Sequence, residues 1–218
     1  MGGAYMSVIA LENVSKSFKG NPLFKHVNMN IEKGRIYGIV GPNGSGKSVL
    51  FKMICGFIFP DVGNVILEGE PIGQNKNRFP NNFGIIIERP GYIANKTGFQ
   101  NLEELASIRG VIDEEKIFEI MELVGLQPES SQKVKNFSLG MKQKLAIAQA
   151  IMEDQQVLIL DEPFNALDAD SVRDIRNLLI SYKKEGRTIL ITSHNQEDID
   201  ILCDSVYRIN NFKLEKIN

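Results

Sequence analysis

Eight consecutive residues carry the types and spacing that polyphosphate binding needs. Gly41-Pro42-Asn43-Gly44-Ser45-Gly46-Lys47-Ser48 fits G-x-x-x-x-G-K-[ST], with an apolar run before it and an apolar helical pattern after it. The glycines let the backbone curl so that successive N–H groups point inward at phosphate oxygens, and the following helix adds the positive end of its dipole. Lys47 is then expected to bridge the terminal phosphates, and the Ser48 hydroxyl to ligate Mg²⁺. An ordinary Gly-rich turn needs neither a Lys nor a Ser at its end.

A second constellation is Asp161-Glu162, directly after the apolar run 157–160. A carboxylate at a buried strand tip is costly unless a cation faces it, so Asp161 is expected in the Mg²⁺ shell. Its neighbour Glu162 is then free to polarise a water for attack on the terminal phosphate. Ser193-His194 follows another apolar run, and a histidine there either ends a strand inertly or senses a phosphate.

These residues must be positioned by a sheet. Runs 36–40, 83–87, 157–160 and 188–192 read as strands buried on both faces, hence parallel. Three of them end at the loaded residues, as ligand sites do in open α/β sheets. Segments 8–14 and 65–68 alternate and lie near the turn residues Lys19-Gly20-Asn21-Pro22 and Asp61-Val62-Gly63, which predicts a small antiparallel layer. Between 89 and 155 the β signal is lost. Thr97 and Gln100 form a capping-box pattern, Ile117, Ile120, Met121 and Val124 keep helical spacing, Gly125 stops that helix, and Ser138 caps another running to about Met152.

Composition bounds the rest. A chain of 218 residues, 43% hydrophobic and 24% charged, buries a proper core and is neither disordered nor collagen-like. The net charge of −2 with dispersed cations gives no footprint for nucleic acid, so none is expected as a partner. Cys55 and Cys203 lack metal-ligand spacing and suit free thiols in a reducing compartment. No apolar run approaches the ~18 residues of a membrane-spanning helix, and stretch 49–59 is broken by Lys52. No secretion signal is expected; residues 1–5 read as an added leader with Met6 as natural start, and Met6 argues against N-myristoylation.

Guanine specificity is unsupported, because Asn75-Lys76-Asn77-Arg78 and Asn95-Lys96-Thr97-Gly98 both lack the Asp of N-K-x-D. The chain resembles the ATP-binding subunits of ABC transporters over nearly its whole length. Their L-S-G-G-Q signature is matched by Phe137-Ser138-Leu139-Gly140-Met141, where Ser138 and Gly140 agree and Leu139 and Met141 depart. Asn165-Ala166-Leu167-Asp168 is similar to their D-loop, His194 to their switch histidine, and Phe18 to their adenine-stacking aromatic. Their Q-loop glutamine is replaced by Glu88 in Ile85-Ile86-Ile87-Glu88-Arg89-Pro90. With Thr97-Gly98-Phe99-Gln100-Asn101-Leu102 and Ser138-Leu139-Gly140-Met141-Lys142-Gln143, this resembles the branch of bacitracin-resistance and lantibiotic-immunity exporters.

The resemblance implies a single α/β domain, a P-loop NTPase core with an antiparallel β layer (1–88 and 156–218) and an inserted helical subdomain (89–155). It implies an ATPase using ATP and Mg²⁺, with Lys47, Glu162 and His194 catalytic, Ser48, Asp161 and Glu88 at the metal, and Phe18, residues 41–48, Ser138, Gly140 and Asp168 on nucleotide. Two such subunits would pair head to tail, as a homo- or heterodimer, each sealing the other's ATP with Ser138 and Gly140. They would power export through a separate transmembrane permease contacted around 88–101, placing the chain in the cytoplasm, peripheral at the inner face of the cell membrane. The alternative is a soluble ABC-type ATPase acting on ribosomes or DNA, which usually has two ATPase halves or a long coiled-coil insertion. A small-molecule kinase would leave the motifs at 137–143 and 161–168 unexplained.

Overall fold

The structure is a computed structural model describing residues 7–72, 82–88 and 91–218. Residues 1–6, Asn75-Lys76-Asn77-Arg78 and Arg89-Pro90, on which some expectations rest, lie outside the described residues. Strand β1 (Ser7–Phe18) pairs antiparallel with β2 (Asn21–Glu32). The turn between them is only Lys19 and Gly20, both at positive φ (50° and 81°), a two-residue geometry whose twist matches the flanking strands. Asn21 and Pro22, expected in the turn, already belong to β2. The small sheet has order β2-β1-β4-β5, with β4 (Val62–Leu67) and β5 (Glu70–Pro71). Val62 and Gly63, also expected in a turn, begin β4, which pairs with β1 across a register shift between Glu12 and Ser15.

The large sheet carries the site. Its order is β10-β9-β3-β8-β7-β6, with β3 (Ile36–Val40), β6 (Phe83–Ile86), β7 (Val157–Asp161), β8 (Thr188–Thr192), β9 (Ser205–Asn210) and β10 (Lys213–Lys216). From β9 to β6 every pairing is parallel; β10 returns antiparallel on the edge. The four expected strands are the four central and flanking strands β3, β8, β7 and β6. The β9–β10 hairpin left no sequence signal because its turn, Asn211 and Phe212 at φ 45° and 65°, holds left-handed conformations without a glycine.

Helix α1 (Lys47–Ile54) lies between the sheets, and its apolar side chains explain why. Leu50, Phe51, Met53 and Ile54 are at most 1% exposed and pack with Ile9, Leu11 and Ile31 of the small sheet and Val157, Ile159 and Leu190 of the large one. Burial of four such side chains fixes α1, and with it the loop before it, to both sheets.

Between β6 and β7 lie α2 (Gly98–Arg109), α3 (Glu114–Leu123) and α4 (Leu139–Ile151). They share a core in which Leu102, Ile117, Ile120, Met121, Phe137 and Leu145 are buried. The capping box at α2 is complete: Thr97 Oγ1 accepts from Gln100 N at 3.2 Å, and Gln100 Oε1 accepts from Thr97 N at 3.0 Å. Ser138 Oγ caps α4 by accepting from Met141 N at 3.1 Å. Helix α5 (Ala169–Lys184) and α6 (Gln196–Leu202) complete the described chain. No described helix is long and apolar enough to cross a membrane. Both cysteines are free, and burial pushes the thiols of Cys55 and Cys203 up to about 12.

Candidate functional site

The loop 41–46 joins β3 to α1 and is propped from outside by the small sheet. Gly46 sits at φ 105°, and a Cβ there would come within 2.8 Å of the Phe24 ring and 3.0 Å of Leu23, so only glycine lets the loop dock. Lys47, 9% exposed, reaches back across this loop and donates to the carbonyls of Gly41 at 2.8 Å and Pro42 at 3.3 Å. An ammonium held by two weak neutral acceptors in a cavity wall is poised for an anion.

Ser48, one residue on, faces the tip of β7: its Oγ donates to Asp161 Oδ2 at 2.5 Å. The other carboxylate oxygen, Oδ1, accepts from Thr192 Oγ1 at 2.7 Å. Thr192 Oγ1 also accepts from the Glu162 N–H at 2.8 Å, so one fully buried hydroxyl sets both acidic residues. Sequence reasoning missed Thr192; its only signal is a polar residue ending an otherwise apolar strand directly before Ser193-His194. These donors are hard oxygens, the chemistry Mg²⁺ takes. Among the described residues no group of three or more acidic, His or Cys side chains is placed to hold a metal ion by itself.

Glu162 itself is at φ 52°, a left-handed conformation costly for a residue with a Cβ and frequent at functional sites. Its Oε1 is buried without a well-aligned hydrogen-bond donor, although His194 Nε2 is 3.2 Å away. Its Oε2 accepts from the His194 N–H at 3.3 Å. Burial pushes the Glu162 carboxyl above the usual carboxylate range, His194 opposes that, Asp161 adds to it, and Lys47 lowers it. A carboxylate with an orphaned oxygen and a raised pKa is equipped to accept a proton from water.

Lys47, Ser48, Asp161, Glu162 and His194 open on one cavity of about 450 Å³, lined also by Phe18, Leu23, Asn43, Gly44, Gly46 and Val49, whereas Thr192 is fully buried and does not line it. Phe18, on the last rung of the β1–β2 hairpin, is 45% exposed at this cavity, with Lys16 Nζ 5.3 Å from its ring centroid. Leu23 and Val49, absent from the sequence reading, add apolar wall.

Of the expected loop residues, Gly41, Pro42 and Ser45 do not themselves line the cavity, and four further expected residues, Glu88, Ser138, Gly140 and Asp168, lie elsewhere. Glu88 does not line the cavity; at φ 62° its carboxylate binds Lys52 Nζ at 2.5 Å, and its side chain is 62% exposed. Lys52 is four residues after Ser48 on α1, so Glu88 is held one turn beyond the Ser48–Asp161 pair. Ser138 and Gly140 open α4, and a Cβ on Gly140 would come within 2.8 Å of the Ala166 carbonyl. Asp168 caps α5, accepting from Ser171 N at 2.8 Å, and that bond holds its carboxyl below the usual range.

A glycine-rich loop ending in Lys47-Ser48, a strand-tip aspartate on that serine and a following glutamate–histidine pair occur together in one order, and a family model described as ABC transporter matches residues 24–165. The chain belongs to the ABC transporter family. It is an ATPase, and ATP is its nucleotide. Among similar proteins of this family, the uncharacterized ABC transporter ATP-binding protein YybJ of Bacillus subtilis (strain 168) is 40% identical over 95% of this chain and 95% of its own. The bacitracin transport ATP-binding protein BcrA of Enterococcus faecalis is 39% identical over 91% of this chain, which spans 65% of that protein. The lantibiotic transport ATP-binding protein SrtF of Streptococcus pyogenes is 36% identical over 91% of this chain and 85% of its own. The resemblance to the peptide-antibiotic branch is thus carried across nearly the whole ABC ATPase chain. A solved structure described as the ATP binding subunit of an ABC transporter superposes with a TM-score of 0.87, covering 97% of this chain and 90% of that one at 24% identity. That likeness fixes the fold as that of ABC ATPases, including the parallel core, the antiparallel layer and the helices between β6 and β7.

Proposed function

We propose that this ABC ATPase powers export of a substrate, a peptide antibiotic by analogy with BcrA and SrtF, through a separate membrane subunit. The observation that carries the chemistry is the convergence of Lys47, Ser48, Asp161, Glu162 and His194 on one cavity. In this reading the N–H groups of residues 41–48 and the Lys47 ammonium bind the β- and γ-phosphates. Lys47 leaves two neutral carbonyls for an anion, so binding strengthens its hydrogen bonds. Ser48 and Asp161 would hold Mg²⁺, which supplies charge neutralisation on the phosphate oxygens when bound. Glu162 orients a water and accepts its proton, and His194 fixes the Glu162 carboxylate while facing the γ-phosphate under attack.

Phe18 would stack on adenine, a contact that reads π area rather than a hydrogen-bond pattern. Phe18→Ala is expected to weaken ATP by about 1–2 kcal/mol in calorimetry while Phe18→Tyr binds normally. Equal affinity for all three proteins would remove the ring from the site.

Ser138, Gly140 and Asp168 lie away from this cavity and would act on the ATP of a second ATP-binding subunit. Glu88, released from Lys52, would approach the metal and couple it to the surface after residue 91. Glu88→Gln is then expected to preserve hydrolysis in the isolated subunit, whereas Glu88→Ala weakens the Mg²⁺ dependence and uncouples hydrolysis from transport. Wild-type behaviour of Glu88→Ala in both assays would leave Glu88 with no role at either end.

The reading puts the protein in the cytoplasm, peripheral at the inner face of the membrane through its partner. Affinity purification of the tagged chain from detergent-solubilised membranes tests it. A stoichiometric multi-span membrane protein supports it; recovery only with ribosomes or DNA sinks it.

A further inference from the structure

Beside the cavity, and outside the residues given roles so far, lies a buried charge cluster. Asp198 on α6 is 2% exposed. Its Oδ1 accepts from Arg176 Nε of α5 at 2.9 Å and is also bound by Arg176 Nη2. Its Oδ2 accepts from Ser193 Oγ at 2.5 Å. Ser193 Oγ in turn accepts from the Asn195 N–H at 3.1 Å, so the residues on both sides of His194 are tied to one carboxylate. Arg176 Nη2 is also on Glu197 at 3.0 Å. A buried ion pair gains little stability over apolar packing of the same volume, but it fixes geometry.

We propose that Asp198, gripped by Arg176, is a positioning residue for ATP hydrolysis: through Ser193 it sets the loop that holds His194 against Glu162. The proposal rests on the reading of His194 as part of the catalytic machinery. His194 is exposed at its ring, its side chain 55% accessible, and meets Glu162 only through its N–H at 3.3 Å and its Nε2 at 3.2 Å. Little around the ring itself would hold it there, so its aim depends on the backbone at 193–195. Helix α5, which supplies Arg176, starts at the Asp168 cap. Movement at residue 168 would therefore reach His194 through a rigid helix and a buried pair rather than through a flexible loop.

The decisive variant is Ser193→Ala, which removes one hydroxyl at a half-buried position and leaves the ion pair whole. In the purified full-length subunit it is expected to lower kcat at least ~10-fold with ATP affinity unchanged by calorimetry, the signature of lost alignment. The protein has only two histidines, His26 and His194, so NMR of the imidazoles supplies a readout that mere structural support would not move. The His194 signals should shift toward their position in Glu162→Gln while those of His26 stay in place. Ser193→Ala should add nothing in a His194→Ala background. Asp198→Asn should repeat the pattern with a loss of thermal stability, and if it does not fold, Ser193→Ala still decides. Turnover of Ser193→Ala within twofold of wild type, or an equal loss in the His194→Ala background, overturns the proposal. If His194→Ala itself turns over like wild type, the role of His194 falls and the clamp's role with it; if His194→Ala is impaired and Ser193→Ala is not, the clamp alone falls.

Discussion

Glu162→Gln is expected to keep ATP binding while cutting turnover at least ~10²-fold, the scale of a lost general base. The amide keeps the shape of the side chain and an acceptor for the His194 N–H, but it cannot take a proton from water. ATP then persists, and an ATP-bound pair of subunits should accumulate in size-exclusion chromatography. Hydrolysis near the wild-type rate would move the role to another residue, His194 first. The same substitution has a signed consequence for stability. Folding raises the Glu162 pKa, chiefly by burial, so the native state holds this proton more tightly than the unfolded chain does. That contribution is fully present below the ordinary glutamate range and is lost as pH rises through the raised value. The glutamine variant titrates nowhere, so its thermal midpoint should exceed wild type at about pH 7.5 and the gain should vanish near pH 4.

Lys47→Ala should abolish ATP binding itself rather than only hydrolysis. Lys47 is 9% exposed and its ammonium already sits across the loop on the Gly41 and Pro42 carbonyls, so it would meet phosphate in the ground state as well as in the transition state. Removing it also takes the side-chain donor from the Gly41 carbonyl and leaves the Pro42 carbonyl only the Ser45 N–H at 3.1 Å, which weakens the loop before any ligand arrives. Calorimetry showing wild-type affinity would contradict this.

The legibility of the site followed the range of its interactions. Residues 41–48 could be read because each type there answers a local need, with glycines for curl, Lys for charge and Ser for a metal donor. Asp161 and Glu162 were legible because charge at the end of an apolar run demands a reason. Thr192 was not, since its two hydrogen bonds run to residues 30 and 31 positions away and a threonine in a strand needs no special explanation. Nor was the pairing of Glu88 with Lys52, 36 positions apart, because exposed acidic and basic residues gain little from any one partner and leave no pattern. In the fold, apolar runs announced the four strands β3, β6, β7 and β8, although β6, at the sheet edge, is buried only at Gly84 and Ile86 and not on both faces, while the β9–β10 hairpin, with a turn lacking glycine, announced nothing. The capping residues Thr97 and Ser138 were legible because a helix start is a local event.

The two inert thiols make the chain a convenient object for labelling. At neutral pH a thiol with a pKa of about 12 is almost wholly protonated, and Cys55 is also buried while Cys203 is half-buried. A maleimide fluorophore should therefore ignore both natural cysteines under brief, native conditions. A single cysteine introduced on the exposed face of α3, at Glu119 for example, would then carry dye at one known place, and energy transfer between two labelled subunits could follow their meeting and parting in real time without first removing any native residue.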